Sequence, residues 1–487
     1  MAFSLSPPPQ LPHPLQTFRW TTLVIGLLLA LIGCTSDPGT PADTADALPP
    51  IFPDYTEVTV PENIAPMNFG IQGATAIKAM FSLDGTQRLT VCGKSHIDID
   101  ETDWHSLLAE AKGKKLTVQV SVWTAQHPQG VAYRAFDISI AEPIDEWLVY
   151  RLIDPGYDSW GHIGIYQRCL SNFDEEALIT NHDNRARCVN CHSFADYSPK
   201  SMMYHQRSVD PATVILHDGI EDRVDLRKIG PHKPGLYCKW HPSGRYIIFS
   251  TNGTHQSFLD RGKKVLEVYD THSSLFLYDV KTHEITTDSL LYNDNAMQTF
   301  ATFSPDGRWL YYCSAPQLHD YPADYERTHY SIVRMGFDVT TGRFSGQADT
   351  IYNARTDGGS AAFPRISPDG RHLLFTLADC GTFPVYHPEA RLEIIDLESR
   401  QRVNTDILSS PQSESYHDWS SSGRWMVFQS RRMDGRHTRL MIAYFGADGR
   451  PRKPFMLPQR DPEDNRTRIW SYNVPEFVRE HVDHEFH

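Results

Sequence analysis

Alternation of apolar and polar residues dominates the first third of the chain. Three segments show it: 55–60, 116–123 and 133–140. A period of two residues places every second side chain on one face, which is typical of half-buried β-strands. The pattern changes only over 103–112, where a short helix with Asp103 as its N-cap is predicted. We therefore expect residues 51–150 to form a β-sandwich-like domain.

A short phrase recurs four times in the second half of the chain, and each copy leads into an apolar run. The copies begin at His241, Ser304, Ser367 and Ser421 and read HPSGR, SPDGR, SPDGR and SSGR. Proline presets φ for a turn, and glycine accepts a positive φ before the chain re-enters a strand. Repeated small sheets bury their faces by packing radially. The repeats therefore predict an all-β fold whose second part is a β-propeller of about 5–7 blades over residues 206–478.

One motif carries cofactor chemistry, the run Cys188-Val189-Asn190-Cys191-His192. Two thiols separated by two residues and followed by His have the spacing that attaches haem c through thioethers, with the imidazole as an iron ligand. We predict that Cys188 and Cys191 bind haem c covalently and that His192 is the proximal ligand. The distal ligand is expected among three nearby residues, which are Met203 and, as alternatives, Met202 and His205.

Two other uses of this motif stay open on the sequence alone. The CxxC pair also suits a disulfide or a dithiol redox pair. Cys188, Cys191 and His192 would also supply three ligands of a zinc site if His182 or His205 supplied the fourth.

The N-terminus has the pattern of an export signal. The apolar run 20–32 is too short for a comfortable transmembrane helix and resembles the core of a signal peptide. It ends in Leu31-Ile32-Gly33-Cys34, which resembles a bacterial lipobox. We therefore expect residues 1–33 to be removed and Cys34 to be lipidated. The acidic, proline-bearing segment 34–50 would then be a flexible tether.

Composition narrows the classes of partner and activity. The formal net charge of −14 argues against nonspecific binding to nucleic acid. Of the 8 cysteines, an odd number is left after the predicted lipid and haem attachments, so at least one thiol is expected to be free. The sequence contains no GxSxG nucleophile elbow, and we predict no catalytic residue.

The repeated phrases resemble the WD40-like repeat of TolB-type β-propellers over roughly residues 206–478, although the fourth copy lacks the Pro-Asp pair. The order of lipobox, β-domain, CxxCH motif and propeller is similar to a group of TolB-like bacterial lipoproteins that carry a cytochrome-type motif. The resemblance implies a bound haem and a propeller that serves as a protein-interaction platform.

Together these features predict a layout and a function. A connector over 151–205 would hold the haem between the β-domain and the propeller, and residues 479–487 would form a tail. We expect electron transfer or redox sensing by an envelope protein that is lipid-anchored, in the outer membrane, with an unidentified redox or envelope protein as partner. The alternative is a non-redox scaffold whose propeller binds an envelope component.

Overall fold

The computed structural model describes residues 36–154, 161–182, 188–207, 211–229, 235–258, 264 and 266–486. The predicted signal peptide and Cys34 lie outside these residues. Within them, no helix has the length and apolar character needed to cross a membrane.

The first folded part is one seven-stranded sheet with a helix packed on it. Its strands are β1 (Asp43–Ala45), β2 (Thr59–Pro61), β3 (Ala74–Leu83), β4 (Thr86–Gly93), β5 (Lys115–Thr124), β6 (Val131–Tyr133) and β7 (Phe136–Ala141). The order is β1-β6-β5-β3-β4, and β7 pairs with both β5 and β2. The strands join a single sheet rather than two facing ones. The first predicted strand is shorter than expected, because Glu57 has a φ of 56°.

Helix α1 (Glu101–Glu110) covers this sheet and begins earlier than predicted. Its N-cap is Asp100, not Asp103, because the Asp100 carboxylate accepts hydrogen bonds from the backbone N–H groups of Thr102 and Asp103. The buried Trp104 holds the helix against the sheet. Its ring packs on Phe81 of β3, and its indole N–H donates to the Ile64 carbonyl at 3.0 Å.

The described residues then form six four-stranded antiparallel sheets, the blades of a β-propeller. In chain order the strands are β8 (Trp147–Ile153), β9 (Ile163–Cys169) and β10 (Glu175–Thr180) in the first blade; β11 (Cys188–Phe194), β12 (Ser201–Arg207), β13 (Ala212–His217) and β14 (Ile220–Val224) in the second; β15 (Leu236–Trp240), β16 (Tyr246–Phe258), β17 (Leu266–Asp279) and β18 (Glu284–Thr286) in the third; β19 (Ala296–Phe303), β20 (Trp309–Pro316), β21 (Ser331–Asp338) and β22 (Arg343–Tyr352) in the fourth; β23 (Ser360–Ile366), β24 (His372–Ala378), β25 (Arg391–Asp396) and β26 (Arg402–Val403) in the fifth; and β27 (Glu414–Trp419), β28 (Trp425–Ser430), β29 (Arg439–Tyr444) and β30 (Phe455–Met456) in the sixth. Short helical turns at Leu226–Ile229, Ala354–Asp357 and Asp464–Thr467 lie in connections.

The ring is closed by the last strand of the chain. Strand β31 (Ser471–Val478) pairs antiparallel with β8 and completes the first blade as its innermost strand. The strands β11, β15, β19, β23, β27 and β31 contact one another around the central axis. The blade count of six falls within the predicted range, and the all-β propeller class is confirmed.

The propeller begins earlier than the sequence predicted. Residues 151–205 were expected to be a connector, but they form strands of the first two blades. The first blade has no turn of this kind, because its innermost strand is the last strand of the chain, and the turn of the second blade lacks the SPDGR phrase. The turn of the second blade uses Asp196 and Tyr197 in the left-handed region instead of a glycine.

The repeated phrases form the turns between the first two strands of four blades. At Gly307 the requirement for glycine has two causes. Its φ is 70°, and an added Cβ would lie 2.5 Å from Nε2 of His241 in the neighbouring turn. That imidazole nitrogen lies 2.9 Å from the Gly307 carbonyl oxygen, so the same turn also joins two blades.

The N-terminal sheet and the propeller share one hydrophobic core. Phe81 and Trp104 belong to the same buried cluster as Trp425 and Phe477, which lie in the sixth and first blades. Polar contacts reinforce the junction, since the Trp425 indole donates to the Glu142 carbonyl at 3.1 Å.

Truncation of Phe477, a residue of the closing strand that is 1% exposed, tests this account of ring closure. Phe477→Ala is expected to lower the free energy of unfolding by about 3–5 kcal/mol, because a buried aromatic ring is lost. Val339→Ala, at an exposed position, is the control and should change it by less than about 0.5 kcal/mol. Urea denaturation measures both. A loss below about 1 kcal/mol for Phe477→Ala would contradict a closing role for this strand.

Candidate functional site

Each innermost strand carries a bulge at the same level of the channel. The ladder of each blade shifts register there, and one residue per blade takes a positive φ. These residues are Cys191, Tyr237, Phe300, Phe363, Tyr416 and Val474. A bulge re-aims the side chain of its extra residue. All six residues line one cavity at this end of the channel, which we call the channel cavity.

Four neighbouring positions of this ring are aromatic and form what we call the aromatic arc. Ring centroids are 4.5 Å apart between Tyr237 and Phe300, 4.5 Å between Phe300 and Phe363, and 4.2 Å between Phe363 and Tyr416. These are the distances of favourable aromatic pairs. The arc therefore presents a continuous apolar wall opposite the second blade.

The channel cavity is cationic although the whole chain is acidic. Four cationic side chains line it, Arg151, Arg207, Lys239 and Arg365, and among its described lining residues there is no Asp or Glu. The cavity encloses about 190 Å³ and is open at its mouth. Its chemistry suits an anionic ligand with a flat apolar body.

The CxxCH motif lies on strand β11, the innermost strand of the second blade. Cys191 and His192 line the channel cavity, whereas Cys188 is buried at the start of the strand. A guanidinium nitrogen of Arg207 lies 3.8 Å from Cys191 Sγ. Burial raises the pKa of the Cys188 thiol, and the nearby Arg207 and Arg151 oppose this shift. The motif therefore belongs to a blade and is not held in a hinge.

His192 is a buried histidine with a side chain that is 2% exposed. Its imidazole interacts with backbone groups of Val149 and Val474, and each of these contacts favours the protonated form of the ring. Burial, helped by Lys239 and Arg151, lowers the pKa of His192 to about 3. The imidazole is therefore neutral at pH 7, which is the form that binds metals.

The three predicted distal ligands lie elsewhere. Met202 and Met203 are fully buried in two different hydrophobic clusters, because successive residues of β12 face opposite sides of the blade. His205 directs Nδ1 to the Thr213 hydroxyl at 3.0 Å. None of these described residues lines the channel cavity. Cys191 and His192 thus line the channel cavity without the three predicted distal ligands, although Cys191 also packs against the cluster that contains Met203.

For the zinc alternative, the described residues contain no group of three or more His, Cys, Asp or Glu side chains placed to hold a metal ion. For the disulfide alternative, the described cysteines form no disulfide with one another.

The aromatic arc was missed by the sequence reading, although a signal was present. Tyr237, Phe300, Phe363 and Tyr416 each lie seven residues before the glycine of a repeated phrase. Cys191 lies seven residues before Ser198, whose N–H donates to the Ala195 carbonyl as the Gly307 N–H donates to Ser304. Aligning the repeats backwards from the turn therefore places the CxxCH motif in register with the arc.

A second cavity lies next to the channel cavity in the propeller, and charged residues lie between the two. Lys239 and Arg365 border both cavities, whereas Asp418 and Glu476 line only the second one. Lys239 forms an ion pair with Glu476. The carboxylates of the second cavity therefore balance Lys239 and Arg365, and no described acidic residue lines the channel cavity.

The wall of the cavity on the side of the third to fifth blades is held by a buried ion pair. Thr254 of β16 lines the cavity, and the paired strand β17 carries Glu267. A carboxylate oxygen of Glu267 lies 3.0 Å from Nε2 of His387, and Glu389 lies 3.1 Å from Nδ1. His387 thereby connects the hairpin of the third blade to the fifth blade.

The topology defines the class of the molecule, a six-bladed β-propeller with an N-terminal sheet. No family model matches the sequence, and no curated protein matches it. Similar solved structures include the Pyrococcus horikoshii acylaminoacyl peptidase, at 9% identity and a TM-score of 0.34, where the match covers 70% of this chain and 44% of the peptidase. The chain thus spans less than half of that enzyme.

Two further structures resemble the chain over most of their own length. A putative 6-phosphogluconolactonase from Bacteroides fragilis has 10% identity and a TM-score of 0.35, with 65% of this chain and 96% of that chain covered. The β-propeller domain of Cps50 (Swd1) from Myceliophteria thermophila has 12% identity and a TM-score of 0.34, with 68% and 92% covered. These likenesses carry no argument about activity, and the propeller assignment rests on the sheet topology of this chain.

The contact at His387 makes stability depend on pH. Burial alone lowers the pKa of His387, but the hydrogen bonds to Glu267 and Glu389 outweigh it and raise the pKa above its ordinary value. The ion pairs of protonated His387 therefore contribute fully to the free energy of unfolding below about pH 6.5. This contribution is lost as the pH rises through the raised pKa of His387. We expect His387→Gln to lower the free energy of unfolding by about 1–3 kcal/mol at about pH 6.

Urea denaturation of the wild type and His387→Gln, at about pH 6 and about pH 9, measures this effect. The gap between the two proteins should narrow at the higher pH. His437→Gln, at a histidine paired with Asp434 near the surface, is the control. A gap that stays constant or widens with rising pH would contradict a protonated His387.

Proposed function

We propose that this protein is an exported lipoprotein that holds one c-type haem at the mouth of its propeller and uses it for electron transfer or redox sensing. The observation that carries the proposal is the position of the motif. Cys191 and His192 border the same cavity, opposite the aromatic arc. A thiol and an imidazole at the edge of one cavity would supply a thioether bond and an iron ligand to the same group.

Two of the three motif residues, Cys191 and His192, border the cavity in which a haem would be held, whereas Cys188 lies outside its lining. Cys188 and Cys191 would supply the thioether sulfurs, and His192 would supply the axial nitrogen. The bound group would provide a one-electron couple between the two oxidation states of iron. Burial keeps His192 neutral, and the aromatic arc keeps water from the face of the site opposite β11. Cavity-lining residues, rather than Met202, Met203 or His205, would face the other side.

The remaining parts of the proposal are supported by sequence. The lipobox-like run supports lipidation of Cys34 and attachment to the outer membrane of the envelope. The repeated phrases support a TolB-like platform, whose partner would be a redox or envelope protein. The acidic net charge gives no support for nucleic acid as a partner.

A second candidate is a non-redox scaffold in which the motif is structural. One observation favours it. His417 follows Tyr416 in the sixth blade as His192 follows Cys191 in the second, and its Nε2 lies 3.3 Å from the Leu374 carbonyl oxygen. A buried histidine at this position is therefore compatible with blade packing alone.

Covalent attachment separates the two candidates. The full chain produced in a host with cytochrome c maturation machinery should carry one haem per molecule by pyridine haemochrome absorbance, with the adduct on the peptide that contains Cys188 and Cys191. Cys188→Ala combined with Cys191→Ala should lose all covalent haem, because both thioethers are removed.

The matched control is Cys92→Ala, which alters a cysteine of the N-terminal sheet and should keep full haem content. Circular dichroism checks that the double variant retains its β-structure. A colourless wild type made under these conditions would exclude the haem proposal and leave the scaffold.

A further inference from the structure

The channel cavity contains an unexplained feature, which is its unpaired positive charge. Arg151 is 8% exposed, and its Nε has no hydrogen-bond partner among the described residues. Arg207 borders the same cavity, and the one described group that its guanidinium contacts is the Cys191 sulfur at 3.8 Å. A buried charge without a counter-ion is strongly unfavourable, and Arg151 is such a charge, whereas Arg207 is half-buried beside it. The pair therefore indicates an anionic partner inside the cavity.

The two arginines converge on this mouth from neighbouring blades. Arg151 lies on β8 of the first blade, beside the closing strand β31, and Arg207 ends β12 of the second blade. Cys191 and His192 belong to β11, which pairs with β12 in the second blade. The anionic partner therefore lies close to the CxxCH motif and extends toward the aromatic arc on the other side.

The form of the cavity specifies the ligand further. One side presents two forked guanidinium groups, which bind carboxylates through paired hydrogen bonds. The other side presents a wall of four aromatic rings, which suits the face of a flat π-system. The described lining holds no carboxylate that would repel an anion.

We propose that the channel cavity is a binding site for a planar aromatic dicarboxylate of porphyrin type, with Arg151 and Arg207 as its carboxylate-binding residues. This inference rests on the proposed function for the identity of the ligand as a haem. It adds that the arginines and the aromatic arc of the cavity recognise the ring and the two carboxylates of the ligand by themselves. Binding therefore needs neither the iron nor the thioether bonds.

The test uses the full chain carrying Cys188→Ala and Cys191→Ala, purified without haem, and iron-free protoporphyrin IX as the probe. Quenching of tryptophan fluorescence gives the Kd. Adding Arg151→Gln or Arg207→Gln should each weaken binding by about 10-fold or more, because a charge-assisted hydrogen bond is worth roughly 1.5–3 kcal/mol. Arg151→Lys and Arg207→Lys, which keep the charge, should weaken it less.

Two controls make the result specific. Arg343→Gln changes an exposed arginine on β22 and should leave the Kd unchanged. Protoporphyrin IX dimethyl ester, which lacks free carboxylates, should bind weakly and show no difference between the parent and the arginine variants. Thermal unfolding midpoints check that each variant is folded.

The outcomes separate this inference from the proposed function. Equal Kd values for parent and both glutamine variants, or equal binding of acid and ester, would overturn the inference even if covalent haem is found. Binding of protoporphyrin IX that depends on both arginines would support it, even if the wild type carries no covalent haem and the haem proposal fails.

Discussion

The left-handed bulge on each innermost strand is the constraint on which the channel depends. A residue other than glycine with a positive φ costs about 1–3 kcal/mol, yet the same departure occurs in all six blades. The ladders above and below each bulge hold it in place. The consequence is a ring of six side chains that point into the channel. Cys191 enters the channel cavity for the same backbone reason as Phe300 or Phe363.

This placement changes how the CxxCH motif is understood. In a connector, the motif would need its own pocket. As part of a blade, it shares a cavity whose other walls come from five more blades. Closure of the ring is therefore part of building the site. Val474 and Arg151 reach the cavity only because β31 pairs with β8, and the N-terminal sheet packs against that same blade.

Much of the fold was visible in the sequence, and the limits have physical causes. Strands such as β5 (Lys115–Thr124) were predicted because alternation records one buried face. The four blades with a repeated phrase were predicted because their turn requires a glycine with a positive φ, which leaves a recognisable pattern in the sequence. No repeated turn marks the first blade, because its innermost strand β31 is separated from β8 by most of the chain, and in the second blade Asp196 and Tyr197 provide the reversal without glycine. The helix cap is Asp100 and not the predicted Asp103, because composition does not say which aspartate accepts the hydrogen bonds.

The site could be predicted only in part. The spacing of Cys188, Cys191 and His192 is local, so it was readable. Nearness in sequence predicts Met203 as the distal ligand, but alternation along β12 places it in a hydrophobic core against which Cys191 also packs. Arg151 and Arg207 are distant in sequence and meet only through packing of the first two blades. Their proposed role rests on the absence of carboxylates from the described lining of the cavity, and no single segment of the chain defines that lining.

An iron anomalous difference map tests the placement of the cofactor most directly. Crystals would be grown from protein made with cytochrome c maturation machinery and shown to contain stoichiometric iron. We expect a single peak inside the propeller channel, beside the His192 ring and on the side of the aromatic arc. A peak outside the channel, with His192 away from the iron, would contradict a haem seated at the mouth of the propeller.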